Sequence, residues 1–267
     1  MVKVFIDAGH GGSDPGAVGN GLREKDLTLT IAKRIESLLL ANYSGVTVRL
    51  SRTGDQSLTL KQRTDAANAW GADFFLSVHI NAGGGTGYED FVHTSASARS
   101  VAIQDALHSE IMASIPGVKD RGKKEANYAV LRESKMPAVL TECLFIDNAS
   151  DAAKLKQASF IEQVAQGHVA GIAKAFKLAK KQAAAANSAT KPKEADNLYK
   201  PTASAITNAT SVVLNRLSNT DVHGDKALDP SWRAKLLAGE LTDSDAIGLI
   251  YVALERGLIQ GDKKGEK

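Results

Sequence analysis

The chain has 267 residues, 43% hydrophobic and 24% charged, enough for one substantial soluble domain and a small second one. A net charge of +3, with no basic run interleaved with aromatics, argues against nucleic acid as a partner, and no apolar run reaches membrane length. One cysteine, Cys143, excludes an intramolecular disulfide and a cysteine-rich zinc site.

The chain opens directly on a strand pattern, residues 2–7, with no charged stretch leading into an apolar one. Synthesis in the cytoplasm without a secretory signal is therefore the expectation. A glycine-rich loop, Gly9 to Gly21, follows. The spacing then predicts a helix over 25–41, with Leu27, Ile31, Ile35, Leu38 and Leu39 on one face, and a strand over 46–50. A helix over 58–70 leads into a strand that ends at His79, and Gly83-Gly84-Gly85 turns the chain into a short segment at 88–93. A helix over 98–115 stops at Pro116-Gly117. Residues 128–131 and 138–144 are read as two more strands. The last helix starts near Ser159, buries Ile161, Val164, His168, Ile172 and Phe176, and runs on through Lys180 into the alanines of 183–186.

This alternation predicts an α/β fold over residues 1–180, a largely parallel twisted sheet flanked by helices. Residues 181–197, which include Pro192 and several charges, have the makeup of a linker. Residues 198–267 hold three short amphipathic patterns, predicting a small α-helical C-terminal domain. Asp221, His223, Asp225 and Asp229 crowd one loop there, but neither their spacing nor the glycine position fits a calcium loop, so they are read as solvated.

Three apolar stretches end on chemistry. Val2-Lys3-Val4-Phe5-Ile6-Asp7 runs into Ala8-Gly9-His10, residues 73–78 run into His79, and Pro137-Ala138-Val139-Leu140-Thr141 runs into Glu142. In an open parallel sheet, functional groups gather beyond the carboxyl ends of the strands. Two imidazoles delivered that way are natural ligands for a catalytic metal, which leaves a third ligand to find. Glu24, at the entrance to the first helix, is either that ligand or a first-turn acid favoured by the helix dipole. Glu142 is either a proton shuttle or a buried carboxylate paired with Arg52 or Arg63. His93, His108 and His168 are read as structural or exposed, and Cys143 as a small buried residue. The glycine loop has Asp14 where a dinucleotide fingerprint needs its last glycine, and no Gly-Lys-Ser/Thr follows.

The stretches Asp7-Ala8-Gly9-His10-Gly11-Gly12, Gly21-Leu22-Arg23-Glu24-Lys25-Asp26, Ser77-Val78-His79-Ile80-Asn81 and Pro137-Ala138-Val139-Leu140-Thr141-Glu142 resemble the zinc-dependent N-acetylmuramoyl-L-alanine amidases. Leu50-Ser51-Arg52-Thr53, Ala66-Ala67-Asn68, Arg121-Gly122-Lys123-Lys124 and Val130-Leu131-Arg132-Glu133 support the resemblance, which covers residues 1 to about 178. Within the family it leans toward amidases of Bacillus sporulation, which dissolve the mother-cell wall, and toward related phage endolysins. The resemblance implies one zinc ion on His10, Glu24 and His79, Glu142 as the catalytic carboxylate, and Asn81 and Glu89 in segments that line the substrate groove. It implies peptidoglycan as the partner and cell-wall lysis, after release from a lysing cell, as the role. Ala8 replaces a proline of many relatives, and Cys143 a small or polar residue; neither change removes a functional group. An inactive wall-binding protein and another zinc amide hydrolase stand as alternatives. Wall attachment is the default reading of 198–267, with dimerisation or regulation as rivals.

Overall fold

Strand β1 (Val2–Ala8) alternates its side chains between two apolar layers. Val4, Ile6 and Ala8 point one way and Phe5 the other, so both faces must be covered. A computed structural model describes residues 1–181 and shows how this is achieved. After β1 come the short hairpin β2 (Val18–Gly19) and β3 (Leu22–Arg23), helix α1 (Glu24–Asn42), β4 (Val46–Leu50) and α2 (Leu60–Trp70). They are followed by β5 (Phe74–Asn81), β6 (Tyr88–Val92), α3 (Ala98–Ser114), β7 (Asp120–Glu125) and the single turn α4 (Ala129–Arg132). Then come β8 (Ala138–Phe145), α5 (Ala149–Leu155) and α6 (Ala158–Ala175).

The sheet order is β4-β1-β5-β8-β6-β7. Strands β4, β1, β5 and β8 run parallel, β6 is antiparallel to β8, and β7 is parallel to β6. One face carries Val4, Ile6, Leu76, Val78 and Val139 against α1, α3 and α6. The other carries Phe5, Phe75, Phe91 and Leu140 against α2 and α4. Period-two alternation therefore also sends Asp7, Ser77, His79, Asn81, Glu89 and Glu142 toward the α2–α4 face. There the helices cover the apolar part and leave the carboxyl end of β5 open.

The architecture matches the expected α/β fold, and several elements differ in detail. Strand β5 continues two residues past His79, and β8 runs through Glu142 to Phe145, so these two groups stand within the sheet rather than beyond it. Residues 128–131, expected as a strand, form the N-cap and first residues of α4. The amides of Leu131 and Arg132 donate back to the Tyr128 carbonyl, and so short an apolar run has no period to separate strand from helix. Helix α2 starts at Leu60, because Thr59 and Gln62 close a capping box. Helix α6 ends at Ala175 rather than entering the alanine run. Lys177 takes a left-handed φ of 51°, its amide donates to Lys174, and Leu178 donates to Ala173. That pattern is a Schellman stop, and the chain then turns back to bond Asn42 and Ser44 at the end of α1. Strand β7 and helix α5 were not expected. The predicted continuation past 181, most of the linker and the domain at 198–267 with its acidic loop lie outside the described residues.

A buried histidine ties helix α6 to the sheet. His168 on α6 is fully buried; its Nδ1–H donates to the Val164 carbonyl (2.7 Å), which leaves Nε2 to accept from the Thr141 hydroxyl on β8 (3.0 Å). Burial pushes its pKa from 6.5 down to about 4. The unfolded chain takes up this proton as pH falls through the ordinary histidine range, and the folded chain does so only near pH 4. Stability from this group is therefore complete above about pH 6.5 and declines as pH falls toward 4, by about 3 kcal/mol at the limit. Urea unfolding of wild type and His168→Leu between pH 7 and 4.5 checks this: the variant should lose stability less steeply.

Candidate metal centre and active site

The loop that leaves β1 is held by cations. The Ala8 carbonyl accepts from Arg52 Nε (3.0 Å) and Arg63 (2.8 Å). The Gly9 carbonyl accepts from Arg52 (2.9 Å) and the Thr28 hydroxyl (2.8 Å), and the His10 carbonyl from Arg63 (2.7 Å). The Gly11 carbonyl accepts from the Asp14 amide, and the Gly12 carbonyl from Lys25 Nζ (2.8 Å). Every carbonyl from 8 to 12 thus has a donor. Both arginines are 3% exposed, and Arg63 also pairs with Asp7 (2.7 Å), itself 1% exposed. This scaffold keeps His10 at a φ of 61°, a conformation that L residues other than glycine seldom adopt.

That conformation aims the His10 ring at two partners. Its Nδ1–H donates to Asp14 Oδ2 (2.8 Å), and its Nε2 lies 3.1 Å from Glu24 Oε1. His79 Nδ1, arriving from β5, lies 3.0 Å from the same oxygen. One ligand atom from each of His10, Glu24 and His79 falls within 4.8 Å of the others. Glu24 is 4% exposed and fixed by backbone donors, Oε1 by the Ile80 amide (3.0 Å) and Oε2 by the Ala17 amide (2.8 Å). The fit leaves no room for side chains at two glycines. A Cβ on Gly9 would meet His79 Cε1 at 2.4 Å, and one on Gly16 would meet Glu24 Oε2 at 2.6 Å.

The electrostatics favour a cation. Burial works against protonation of His10, but the Glu24 and Asp14 carboxylates outweigh it and raise the pKa to about 9. His79 is raised as well, its burial outweighed mainly by Glu24 and Glu142. For Glu24, burial is outweighed by the two histidines, which hold its carboxyl well below the ordinary range. Two imidazoles and one carboxylate, oriented by outer-shell bonds to Asp14, Ala17 and Ile80, form a donor set that can hold a metal ion. Zinc hydrolases use donors of this kind and keep a further position open.

Glu142 lies beside this group. It pairs with His79 in the β5–β8 register and with Glu89 in the β6–β8 register, so all three project to one face. Neither Arg52 nor Arg63 reaches it; both are engaged with the β1 loop. Its Oε2 is buried without a hydrogen-bond partner, and burial raises its pKa to about 7. With His10, Glu24 and His79 it lines a cleft of about 370 Å³, whose walls also include Leu60, Asn81, Tyr128 and Leu140.

The remaining groups sort by face. Asn81 lies on the cleft wall and donates to Glu89 Oε1 (2.6 Å), while Glu89 Oε2 takes Arg121 (2.8 Å) and Lys124. Cys143 points to the opposite side of β8, where burial pushes its thiol pKa far up and leaves it unreactive. His108 is tied to Asp90 and Asp120, and His93 to Asn127, both away from the cleft. Sequence reasoning treated the two arginines only as partners for Glu142 and missed their hold on the loop, although Leu50-Ser51-Arg52-Thr53 was visible. Removing Arg63 should strand Asp7 as an unpaired buried charge. Arg63→Ala is expected to destabilise the fold by about 3–5 kcal/mol, whereas Arg23→Ala, which breaks an exposed pair with Asp26, should stay within about 1 kcal/mol in denaturant unfolding.

Known proteins resemble this chain over the same region. A profile described as N-acetylmuramoyl-L-alanine amidase matches residues 4–174. The sporulation-specific N-acetylmuramoyl-L-alanine amidase of Bacillus subtilis (strain 168) is 56% identical over 180 residues, covering 67% of this chain and 70% of the relative. The endolysin of Bacillus phage SPP1 is 50% identical over 188 residues, covering 68% and 69%. Among solved structures, the catalytic domain of CwlV, an N-acetylmuramoyl-L-alanine amidase from Bacillus (Paenibacillus) polymyxa var. colistinus, superposes with a TM-score of 0.63 at 38% identity. That match covers 67% of this chain and all of the other. The chain belongs to the N-acetylmuramoyl-L-alanine amidase family.

Proposed function

We propose that this N-acetylmuramoyl-L-alanine amidase holds one zinc ion on His10, Glu24 and His79 and cleaves peptidoglycan with Glu142 as its proton carrier. The observation that carries the reading is the buried, partnerless Oε2 of Glu142 in the cleft that the three ligands share. When bound there, zinc supplies Lewis-acid polarisation of the scissile carbonyl and lowers the pKa of water to roughly 7. Glu142 takes a proton from the attacking water. As the bond between the lactyl carbonyl carbon and the alanine nitrogen breaks, it returns that proton to the departing nitrogen. The products are a muramic acid with a free lactyl carboxylate and a peptide with a new L-alanine amino terminus. A raised pKa suits Glu142 to both steps, because a strongly acidic carboxyl would hold the first proton poorly. Asn81 lines the cleft, and the buried Glu89 stands behind it. Asn81 meets substrate, and Glu89 fixes it from behind together with Arg121 and Lys124.

The substrate is a polymer outside the cell membrane, and no helix among the described residues is long and apolar enough to cross one. Relatives named for sporulation and for phage lysis support a role in wall lysis, with the enzyme reaching the wall when a cell breaks open. Wall attachment is the default reading of residues 198–267, taken from the resemblance to wall-lytic amidases.

Three measurements test this reading. Treatment with a chelator should abolish release of L-alanine amino termini from Bacillus cell walls, and zinc should restore it. Glu142→Gln should bind zinc normally yet release termini about 10²–10⁴ times more slowly. Full activity in that variant, or release of a different amino terminus, would reject the assignment. Deleting 188–267 should weaken cosedimentation with walls while turnover of a small muramyl peptide is retained.

A further inference from the structure

The cleft has a second wall, on the α2–α4 side, made by two residues that local structure does not explain. Leu60 is the first residue of α2 and is 55% exposed. The helix start is already secured by the capping box of Thr59 and Gln62, so a leucine in the next position adds nothing to it. Tyr128 is the N-cap of α4, is 41% exposed and makes no side-chain capping bond. Serine, threonine, aspartate or asparagine would stabilise that position, so the tyrosine is present at the expense of the helix. Its ring is nevertheless held in place, edge-on to Phe91 at 5.3 Å and 64°. Few large apolar side chains are this exposed among the described residues, and both of these line the cleft that contains His10, Glu24, His79 and Glu142.

Apart from Glu142, which is reserved for proton transfer, the acidic, imidazole and amide side chains of the cleft are already engaged. The two histidines and Glu24 bond one another, and Asn81 is shared between Glu89 and the Ala82 amide. Attraction for the substrate on the α2–α4 side must therefore come from apolar contact. The scissile amide of N-acetylmuramoyl-L-alanine offers matching groups: a methyl on the lactyl carbon before it and another on the alanine carbon after it.

We propose that Leu60 and Tyr128 form an apolar rim that seats these methyl groups and so fixes the register of the amide over Glu142. The inference rests on the functional reading above and deepens it, by naming what on the substrate is recognised. The rim acts in binding and orientation and takes no part in proton transfer.

The test pairs enzyme and substrate changes. Tyr128→Ser supplies a better N-cap and Leu60→Ala a good helix former, so both variants should melt at or near the wild-type temperature. Each is assayed on three soluble muramyl peptides: the natural one, one with glycine in place of L-alanine, and one with a glycolyl in place of the lactyl group. Wild type should prefer the natural substrate by about tenfold or more in kcat/KM over at least one analogue, the usual effect of one missing methyl in an apolar site. In Tyr128→Ser or Leu60→Ala that preference should shrink to about twofold, through a fall in kcat/KM for the natural substrate. Tyr128→Phe should retain the preference, since the ring and not the hydroxyl makes the contact. Wild type indifferent to both methyls, or both variants as selective as wild type, would overturn the rim. Wild type that cleaves no muramyl peptide at all would overturn the functional reading and the rim together.

Discussion

Two buried guanidinium groups hold the rest of this site in place. Arg52 and Arg63 occupy the space behind the β1 loop and bond the carbonyls of Ala8, Gly9 and His10, with Asp7 as counter-charge. A loop of this kind would otherwise turn its carbonyls toward water or toward the cleft, where they would compete with the side chains as ligands. With the carbonyls drawn backward, the His10 ring is left facing forward. A buried ion pair is seldom a net gain over apolar packing, and its value here lies in fixing one geometry.

The other half of the site follows from alternation along strands. Because β5, β8 and β6 are neighbours in register, His79, Glu142 and Glu89 lie in a row across one face. The row carries an imidazole, a carboxylate without a partner, and a carboxylate saturated by Asn81, Arg121 and Lys124. Two acidic groups so close together end in different states because only Glu89 is bonded by arginine and lysine while burial dominates at Glu142, and environment sets each role. The same alternation puts Cys143 and Thr141 on the far face, with Thr141 bonded to His168. A step of one residue along β8 therefore separates the chemistry from the core.

Much of this was legible from the sequence. The apolar runs ending near His10, His79 and Glu142 announced the parallel strands, and Glu24 converges with both histidines, which is the arrangement its reading as a ligand requires. What stayed hidden was whatever depends on distant partners. The tie between Arg63 and Asp7 spans 56 positions and that between Glu24 and Ile80 spans 56 as well, with no local pattern to mark either. The short run 128–131 carried too few residues to show a period, and the stop of α6 depends on a left-handed lysine where glycine is the usual signal. Strand β7 was missed because it reads Asp120-Arg121-Gly122-Lys123-Lys124-Glu125, with hardly an apolar side chain to report it.

That composition has a consequence for the molecule in a crowded solution. Among the described residues β7 is the last strand of the sheet, and the far side of such a strand carries amide and carbonyl groups able to template another chain. Here five of its six residues are charged, and Gly122 sits at a positive φ of 81° in the register shift between β6 and β7. An incoming strand would meet repulsion and a bend instead of a flat apolar ladder. The sheet therefore ends at β7 in a form that resists edge-to-edge aggregation, while the inner flank of the same strand supplies Arg121 and Lys124 to Glu89.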